Sequence, residues 1–256
     1  MEFVLLSSRS TDSAAHWSRA LADAAAVALA ASGAPVHWLC PIGRQESEPT
    51  PRPGVNLVTI RGRVPSVRRV QARVHDKVMD ITLARLLRPL RRALVVHVGF
   101  GAPGSVTALW LAERMGAKAV AVVDAAEVLC PRQTLVHASG EGCSDFSDPQ
   151  RCQQCVRGGV RRLTGEPVGA SAGATKSVWR SPAALWPGSP GLHQLLTRSD
   201  LILAGLLPAL VWTRSSVDRA SLVDFGLSAR NVRDASENDV FASGEVLARE
   251  LLAHAR

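Results

Sequence analysis

Short apolar runs alternate with longer amphipathic segments along the first half of the chain. Phe3–Leu6 lies almost at the terminus and is typical of a buried first strand, and Val36–Leu39 is typical of a second. The alanine-rich segment between them, Ala14–Ala31, is expected to be a helix that ends before Gly33, because glycine suits the left-handed position after a helix. Strand, helix and strand in this order predict a βαβ unit.

The same alternation continues beyond this unit. Further strands are predicted at Val55–Ile60, Leu94–Val98 and Ala119–Val123, and helices at Ser66–Leu87 and Val106–Met115. Short apolar strands that alternate with helices are typical of a mostly parallel sheet covered on both faces. The predicted fold class is therefore α/β: a single Rossmann-like, doubly wound, mostly parallel sheet.

The second half of the chain has a less regular pattern. It predicts helices at Leu192–Arg198, Val217–Phe225 and Ser243–Ala253, a strand at Leu201–Ala204, and a polar connection at Asn231–Asn238. The last of these helices is expected to close the fold.

We divide the chain into two parts on this basis. Residues 1–235 form the Rossmann-like domain, and residues 236–256 form the C-terminal closing helix. The domain carries an inserted cysteine-rich loop at residues 130–156 and a segment rich in glycine, serine, alanine and proline at residues 165–191, which is expected to be flexible.

The composition indicates a protein with a sizeable core, since 46% of the 256 residues are hydrophobic. No apolar run reaches the roughly 18 residues needed to span a bilayer. The first ten residues lack the basic region and cleavage signature of a signal peptide. We therefore expect a soluble, cytoplasmic protein, and in a reducing compartment cysteines favour metal binding over disulfides.

The net charge of +8 is concentrated in one segment. Arg61–Arg92 contains ten lysine or arginine residues against Asp76 and Asp80, while the rest of the chain is neutral overall. The segment is either a solvated helix face or a surface that meets an anionic membrane, a polyprenyl-linked acceptor or an acidic partner subunit. Nucleic acid is not expected, because no aromatic residues are interleaved to stack on bases.

Four of the five cysteines fall within 26 residues, with the spacing C-x12-C-x8-C-x2-C. They are Cys130, Cys143, Cys152 and Cys155. Four thiolates can hold zinc or a [4Fe–4S] cluster, and His137 can replace one thiolate in a zinc site. Two disulfides or unmodified thiols are the alternatives that the spacing leaves open.

Three loops follow the carboxyl ends of predicted strands, where parallel α/β sheets bind ligands. They are Ser7–Ser13, Gly99–Ser105 and Asp124–Pro131, and the last leads directly into the cysteine-rich loop. The residues expected to bind a ligand in and beside the first two loops are Ser10, Asp12, His16, Gly99 and Gly101.

The segment DAAEVLCPRQTLVHASGEGCSDFSDPQRCQQC resembles a segment of family 4 glycosyltransferases. In that family it commonly reads H-D-Y-W-L-L-C-P, followed by a polar loop, a cysteine and C-x-x-C. The segments VLLSSRSTDSAAHWSRALADAAAVALAASGAPVHWLCP, LVVHVGFGAPGSVTALWLAERMGAKAVAVVD and SDLILAGLLPALVWTRSSVDRASLVDFGLSARNV also resemble the family, in the same order. The resemblance covers about residues 1–235.

The resemblance implies the N-terminal, acceptor-side domain of a GT-B enzyme. The family's second Rossmann-like domain binds the nucleotide-sugar donor, and the chain ends where that domain is expected to begin. The resemblance therefore implies an acceptor-binding domain that acts as half of a split glycosyltransferase, with a donor-binding protein subunit, or as an accessory domain. The alternative is a non-enzymatic regulatory or partner protein that binds zinc or an iron–sulfur cluster.

The chain departs from the family in two loops. The family's H-D-Y-W falls on residues 124–127, which read DAAE, so the histidine is absent. The Gly-Gly of the family's first loop is also absent, since residues 12–16 read DSAAH. If the protein is catalytic, Asp124 is the expected base and Glu127 the second candidate. The alternative role for Asp124 is to cap a helix or loop.

Overall fold

The structure, a computed structural model, describes most of the chain. The described residues are 1–7, 16–42, 48–61, 77–99, 107–130, 142–143, 150–152, 154–155, 200, 202–236 and 239–256. The strands are β1 (Glu2–Ser7), β2 (Val36–Ile42), β3 (Val55–Arg61), β4 (Ala93–Val98), β5 (Lys118–Val123), β6 (Leu210–Thr213) and β7 (Val232–Asp234). The helices are α1 (His16–Ala31), α2 (Lys77–Leu87), α3 (Thr107–Arg114), α4 (Ala125–Leu129), α5 (Ser216–Asp224) and α6 (Gly244–Ala255). Residues 202–206 are also helical.

The seven strands form one sheet in the order β3-β2-β1-β4-β5-β6-β7. Every neighbouring pair is parallel. The chain first adds strands on one side of β1 and then returns to add β4 on the other side. The order therefore reverses between β1 and β4, as it does in a doubly wound sheet.

Helices cover both faces of the sheet. Successive side chains of a strand point to opposite faces, so each strand contributes to two different cores. Phe3 and Leu5 of β1 belong to an apolar core that includes α1 and α6. Val4 and Leu6 belong to a second core that includes α2 and α3. The predicted fold class is confirmed: the protein is an α/β protein with a Rossmann-like, doubly wound, parallel sheet.

A third core lies over the end of the sheet formed by β5, β6 and β7. It contains Ala121 and Val123 of β5, Val128 of α4 and Leu222 of α5. Leu109 of α3 also belongs to it. The third core therefore lies on the same face as α3, while α1 and α6 cover the opposite face.

The helix α6 packs closely against α1. Ser243 caps α6, since its Oγ accepts a hydrogen bond from the Glu245 N–H at 3.2 Å. A Cβ added to Gly244 would overlap Ala24 and lie 2.5 Å from the backbone nitrogen of Ala25. Only a residue without a side chain fits this contact, so glycine sets how closely the two helices approach.

Two elements of the second half differ from the prediction. The strand predicted at Leu201–Ala204 is wrong, because residues 202–206 are helical and the sixth strand begins at Leu210. Ile202 and Leu206, four residues apart, both pack into the third core, which is a helical repeat rather than a strand repeat. The short strand β7 lies inside the segment predicted as a polar connection, and of its three residues only Val232 is buried.

Several predictions fall on residues outside the described ranges. They are the helix at Leu192–Arg198, the first part of the helix at Ser66–Leu87, most of the cysteine-rich loop 130–156, and the segment 165–191. The closing helix is confirmed as α6. None of the helices in the described part of the chain combines the length and hydropathy needed to cross a bilayer.

Candidate functional site

The candidate site lies at the carboxyl edge of the sheet, where the strand order reverses between β1 and β4. The helix that follows β1 covers one face, and the helix that follows β4 covers the other. The two chain segments diverge at this point, and in parallel α/β sheets this divergence opens a crevice for ligands. Ser7 at the end of β1 lies in register with Val98 at the end of β4.

Gly99 is the point where three elements meet in this crevice. Its φ is +71°, and its N–H donates to the Val122 carbonyl at 2.8 Å. A Cβ at this position would lie 2.5 Å from the Ser18 Cβ and 3.4 Å from Glu127 Oε2. Because Ser18 belongs to α1 and Glu127 to α4, Gly99 allows the two helices to approach the end of β4. Ser18 and Glu127 are both buried.

His97 lies two residues before Gly99 and is fully buried. Burial lowers the pKa of its imidazole from 6.5 to about 3, against the opposite effect of a hydrogen bond with the Gly99 backbone. The ring is therefore neutral at pH 7 and carries no charge into the crevice.

The predicted ligand-binding residues of the first loops are only partly within the described ranges. Gly99 directly follows β4 at the carboxyl edge of the sheet, and its role in binding a ligand stays a prediction. His16 begins α1, but its side chain is not among those described. Ser10, Asp12 and Gly101 lie outside the described residues.

Ser7, where the first of these loops begins, is the last residue of β1. Its Oγ accepts a hydrogen bond from the Trp38 Nε1–H at 3.1 Å, and both side chains are buried. Ser7 therefore fixes the start of the loop against β2.

Asp124 follows β5 and caps α4. Its Oδ1 accepts a hydrogen bond from the Ala126 N–H at 2.8 Å, which confirms the helix-capping role. Its Oδ2 accepts from Arg214 Nη1 at 3.3 Å. The carboxylate is thus held in one orientation by two donors, with Oδ2 on the side of β6.

Arg214 follows β6 and lies beside Asp124, and the sequence analysis did not name it. Its guanidinium carbon lies 5.7 Å from the ring centroids of both Trp17 and Phe241. The two rings are 5.4 Å apart and inclined at 43°. A correct placement of β6 would have found Arg214 by the same rule that found Asp124, since both directly follow a strand.

Further carboxylates surround this pair. Burial and the nearby carboxylate of Asp124 raise the pKa of Asp218, against the effects of the Ser215 hydroxyl and Arg214. The carboxylate of Asp234 accepts hydrogen bonds from the Ser236 hydroxyl and N–H, which lower its pKa. Three carboxylates, those of Asp124, Asp218 and Asp234, therefore lie at this end of the sheet edge, together with the guanidinium groups of Arg214 and Arg219.

The four clustered cysteines are all within the described residues. Cys130 caps the C-terminus of α4, with its N–H donating to the Ala126 carbonyl at 3.1 Å. Cys130 and Cys155 are buried, and Cys143 and Cys152 are partly buried.

The same part of the chain bears on the predicted metal site. Within the described ranges, no three or more histidine, cysteine, aspartate or glutamate side chains form a group that can hold a metal ion. The four-cysteine zinc or iron–sulfur site stays a prediction from the spacing of the cysteines.

Comparison of the chain with known protein families and with curated proteins finds no match. What is established is the class of fold, a doubly wound parallel α/β sheet, and the set of side chains at its carboxyl edge.

Proposed function

We propose that this protein is the acceptor-binding half of a split glycosyltransferase of the GT-B type. A second protein subunit would bind the nucleotide-sugar donor. The observation that carries the proposal is the approach of Ser18 and Glu127 to Gly99 at the point where the strand order reverses. The reversal lies at the carboxyl edge of the sheet, where such folds bind their ligands, and Asp124 follows β5 at the same edge.

The proposed chemistry uses Asp124 as the base. An acceptor hydroxyl in the crevice gives its proton to Asp124 Oδ2 while its oxygen forms a bond to the anomeric carbon of the donor sugar. The bond between that carbon and the nucleotide phosphate breaks, and the nucleotide leaves with the electron pair. Arg214 orients the carboxylate through its hydrogen bond to Oδ2. Glu127, buried beside Gly99, is the second candidate for the base.

The same crevice also supports an accessory role, in which the protein binds the acceptor without transferring a sugar. The absence of the histidine from the H-D-Y-W position favours this role over independent catalysis. The two roles differ in whether a donor-binding partner restores transfer.

Copurification and transfer assays test the proposal. We expect the tagged protein to copurify from its native cells with a chain that binds a nucleotide sugar. Sugar transfer should require both chains, and Asp124→Asn should abolish it. Transfer by the purified chain alone would contradict the split enzyme, and a partner that binds donor but gives no transfer would leave only the accessory role.

We also propose that residues 61–92 meet an anionic membrane surface or the diphosphate of a polyprenyl-linked acceptor. Within the described part of this segment, α2 buries Met79 and Leu83 but exposes Val78 and Ile81 together with Arg85. Exposed apolar and basic side chains on one helix suit a peripheral membrane contact.

The alternative proposal is a regulatory or partner protein that binds zinc or an iron–sulfur cluster through the four clustered cysteines. Cys130 at the end of α4 supports it, because that helix borders the crevice. Metal analysis of anaerobically purified protein tests this alternative. One zinc ion per protein chain, or the iron of one [4Fe–4S] cluster per chain, supports the alternative. Metal-free protein with reactive thiols rules it out.

A further inference from the structure

We propose that Asp124, Arg214 and Trp17 form a subsite for a neutral polyol, a sugar or cyclitol with two adjacent hydroxyls. This inference rests on the proposed function, because it names the chemical class of the acceptor. It excludes phosphorylated or carboxylated acceptors at this subsite.

The sheet register brings the charged pair together. Val123 of β5 is in register with Thr213 of β6, so Asp124 and Arg214 directly follow neighbouring strands at the same edge. The Asp124 and Arg214 side chains are 25% and 49% exposed, so the pair is open to solvent. A carboxylate beside a guanidinium can accept a hydrogen bond from one hydroxyl and donate to the next, as two adjacent hydroxyls require.

Two aromatic rings flank the guanidinium. Trp17, at the start of α1, and Phe241, just before α6, each lie 5.7 Å from the guanidinium carbon of Arg214. Stacking against aromatic rings restricts the orientation of a guanidinium without using its N–H donors. Within the described residues, the one hydrogen bond of Arg214 is to Asp124, so other donors remain for a ligand.

The local charge favours a neutral ligand over an anion. The Asp124, Asp218 and Asp234 carboxylates surround this end of the edge. Among the described residues, the guanidinium groups of Arg214 and Arg219 interact with these carboxylates. Arg214 is paired with Asp124, and Arg219 donates to the Val232 and Ala229 carbonyls. A phosphate or carboxylate bound at Arg214 would face the Asp124 carboxylate at close range, and like charges repel.

Ligand-observed NMR on the full chain tests the inference with glucose, myo-inositol, glucose 6-phosphate and inorganic phosphate. We expect both neutral probes to bind and both phosphates to bind at least about ten-fold more weakly. Asp124→Asn and Arg214→Gln should each weaken glucose binding by about ten-fold or more, the loss expected for one hydrogen bond to a charged group. Asparagine is a good helix cap, so Asp124→Asn keeps α4.

The pair formed by Arg52 and Asp23 provides a matched control. It has the same residue types, with hydrogen bonds of 3.1 and 2.7 Å, and Arg52 precedes β3 rather than following a strand. We expect Arg52→Gln to leave glucose binding unchanged. An equal loss in this variant, no glucose binding by the wild type, or tighter binding of glucose 6-phosphate through Arg214 would each overturn the subsite.

The subsite and the proposed function can fail separately. If glucose binds as expected but no donor-binding partner restores transfer, the subsite stands and the split transferase falls. If transfer occurs with the partner and Arg214→Gln leaves it unchanged, the function stands and the subsite falls.

Discussion

At the scale of single residues, Gly99 shows how a backbone requirement and a packing requirement coincide in the crevice. Its φ of +71° favours glycine on its own, and the close approach of Ser18 leaves no room for a Cβ. The two effects can be separated, because Gly116 has a similar φ of +80° but no atom within 4 Å of an added Cβ.

We predict that Gly99→Ala destabilises the protein more than Gly116→Ala does. Gly116→Ala should cost about 1 kcal/mol from backbone strain alone. Gly99→Ala should cost a further 1–3 kcal/mol, roughly, because Ser18 has to move. Urea unfolding of both variants measures the difference, and equal losses would show that the contact with Ser18 relaxes without cost.

Two substitutions at Asp124 separate its capping role from its proposed catalytic role. Asp124→Ala removes the acceptor for the Ala126 N–H and should cost about 1 kcal/mol of stability. Asp124→Asn keeps the cap and should be nearly neutral for stability, yet it should abolish transfer in the presence of the partner. If Asp124→Asn transfers at the wild-type rate, the base is not Asp124, and Glu127→Gln becomes the variant to measure.

His97 should make stability depend on pH. Its pKa is lowered from 6.5 to about 3 in the folded protein, so the unfolded state binds the proton more readily. His97 therefore does not change the free energy of unfolding with pH above pH 6.5. As the pH falls from 6.5 towards 3, the free energy of unfolding falls by up to about 1.4 kcal/mol per pH unit.

The measurement is the free energy of unfolding between pH 7 and pH 4, for the wild type and for His97→Gln. The variant is expected to start less stable and to lose less stability on acidification. His254→Gln is the control, because His254 is only partly buried and its pKa is lowered less markedly. A wild-type slope that survives in His97→Gln would assign the acid sensitivity to other groups.

At the scale of elements, the sequence predicts the first five strands well and the last two poorly. The strands β1, β2, β4 and β5 are short runs of buried apolar residues, and such runs have few other structures available to them. The strand β6 could not be told apart from the helix before it. Both are short apolar segments. Packing against the sheet and the core, rather than the local hydrophobic pattern, determines which of them is a helix and which is a strand.

Candidate residues at the carboxyl edge were named from the sequence only where the strand before them was placed correctly. Asp124 and Gly99 follow correctly placed strands and were named, and their roles in catalysis and binding stay predictions. Arg214 follows the misplaced strand and was not named. The contribution of Trp17 and Phe241 depends on how α1 and α6 pack together, and the hydrophobic pattern within either helix carries no information about its partner.

The packing of α6 on α1 gives a prediction at this scale. Gly244→Ala places a Cβ against Ala24 and the backbone of Ala25. Overpacking of this kind costs roughly 1–3 kcal/mol, and a similar loss is expected here in urea or thermal unfolding. Arg249→Ala, an exposed position on the same helix, is the control and should stay within about 0.5 kcal/mol of the wild type. A neutral Gly244→Ala would mean that α6 shifts outward without loss.

At the scale of the whole molecule, the two faces of the sheet differ in what they expose. The helix α2, on one face, exposes Val78 and Ile81 beside Arg85. Next to it, α3 exposes Trp110, with the guanidinium of Arg114 lying 5.5 Å from the ring centroid. Thr107 of α3 donates to Asp80 of α2 at 2.7 Å, so a side-chain hydrogen bond joins these two helices.

We predict that α2 contributes to binding of vesicles containing about 30% anionic lipid. Arg85→Gln should weaken binding several-fold, since a basic residue near such a surface contributes about 1 kcal/mol. Val78→Ser should also weaken binding several-fold, because it removes an exposed apolar side chain from the same helix. Val27→Ser is the matched control, because Val27 is 42% exposed on α1, across the sheet, while Val78 is 51% exposed.

Sedimentation with anionic and with neutral vesicles measures the effect. Binding should fall as salt rises, because salt screens exposed charges. Equal losses in Val27→Ser and Val78→Ser, or binding that is insensitive to lipid charge, would mean that the basic helix is only a solvated face.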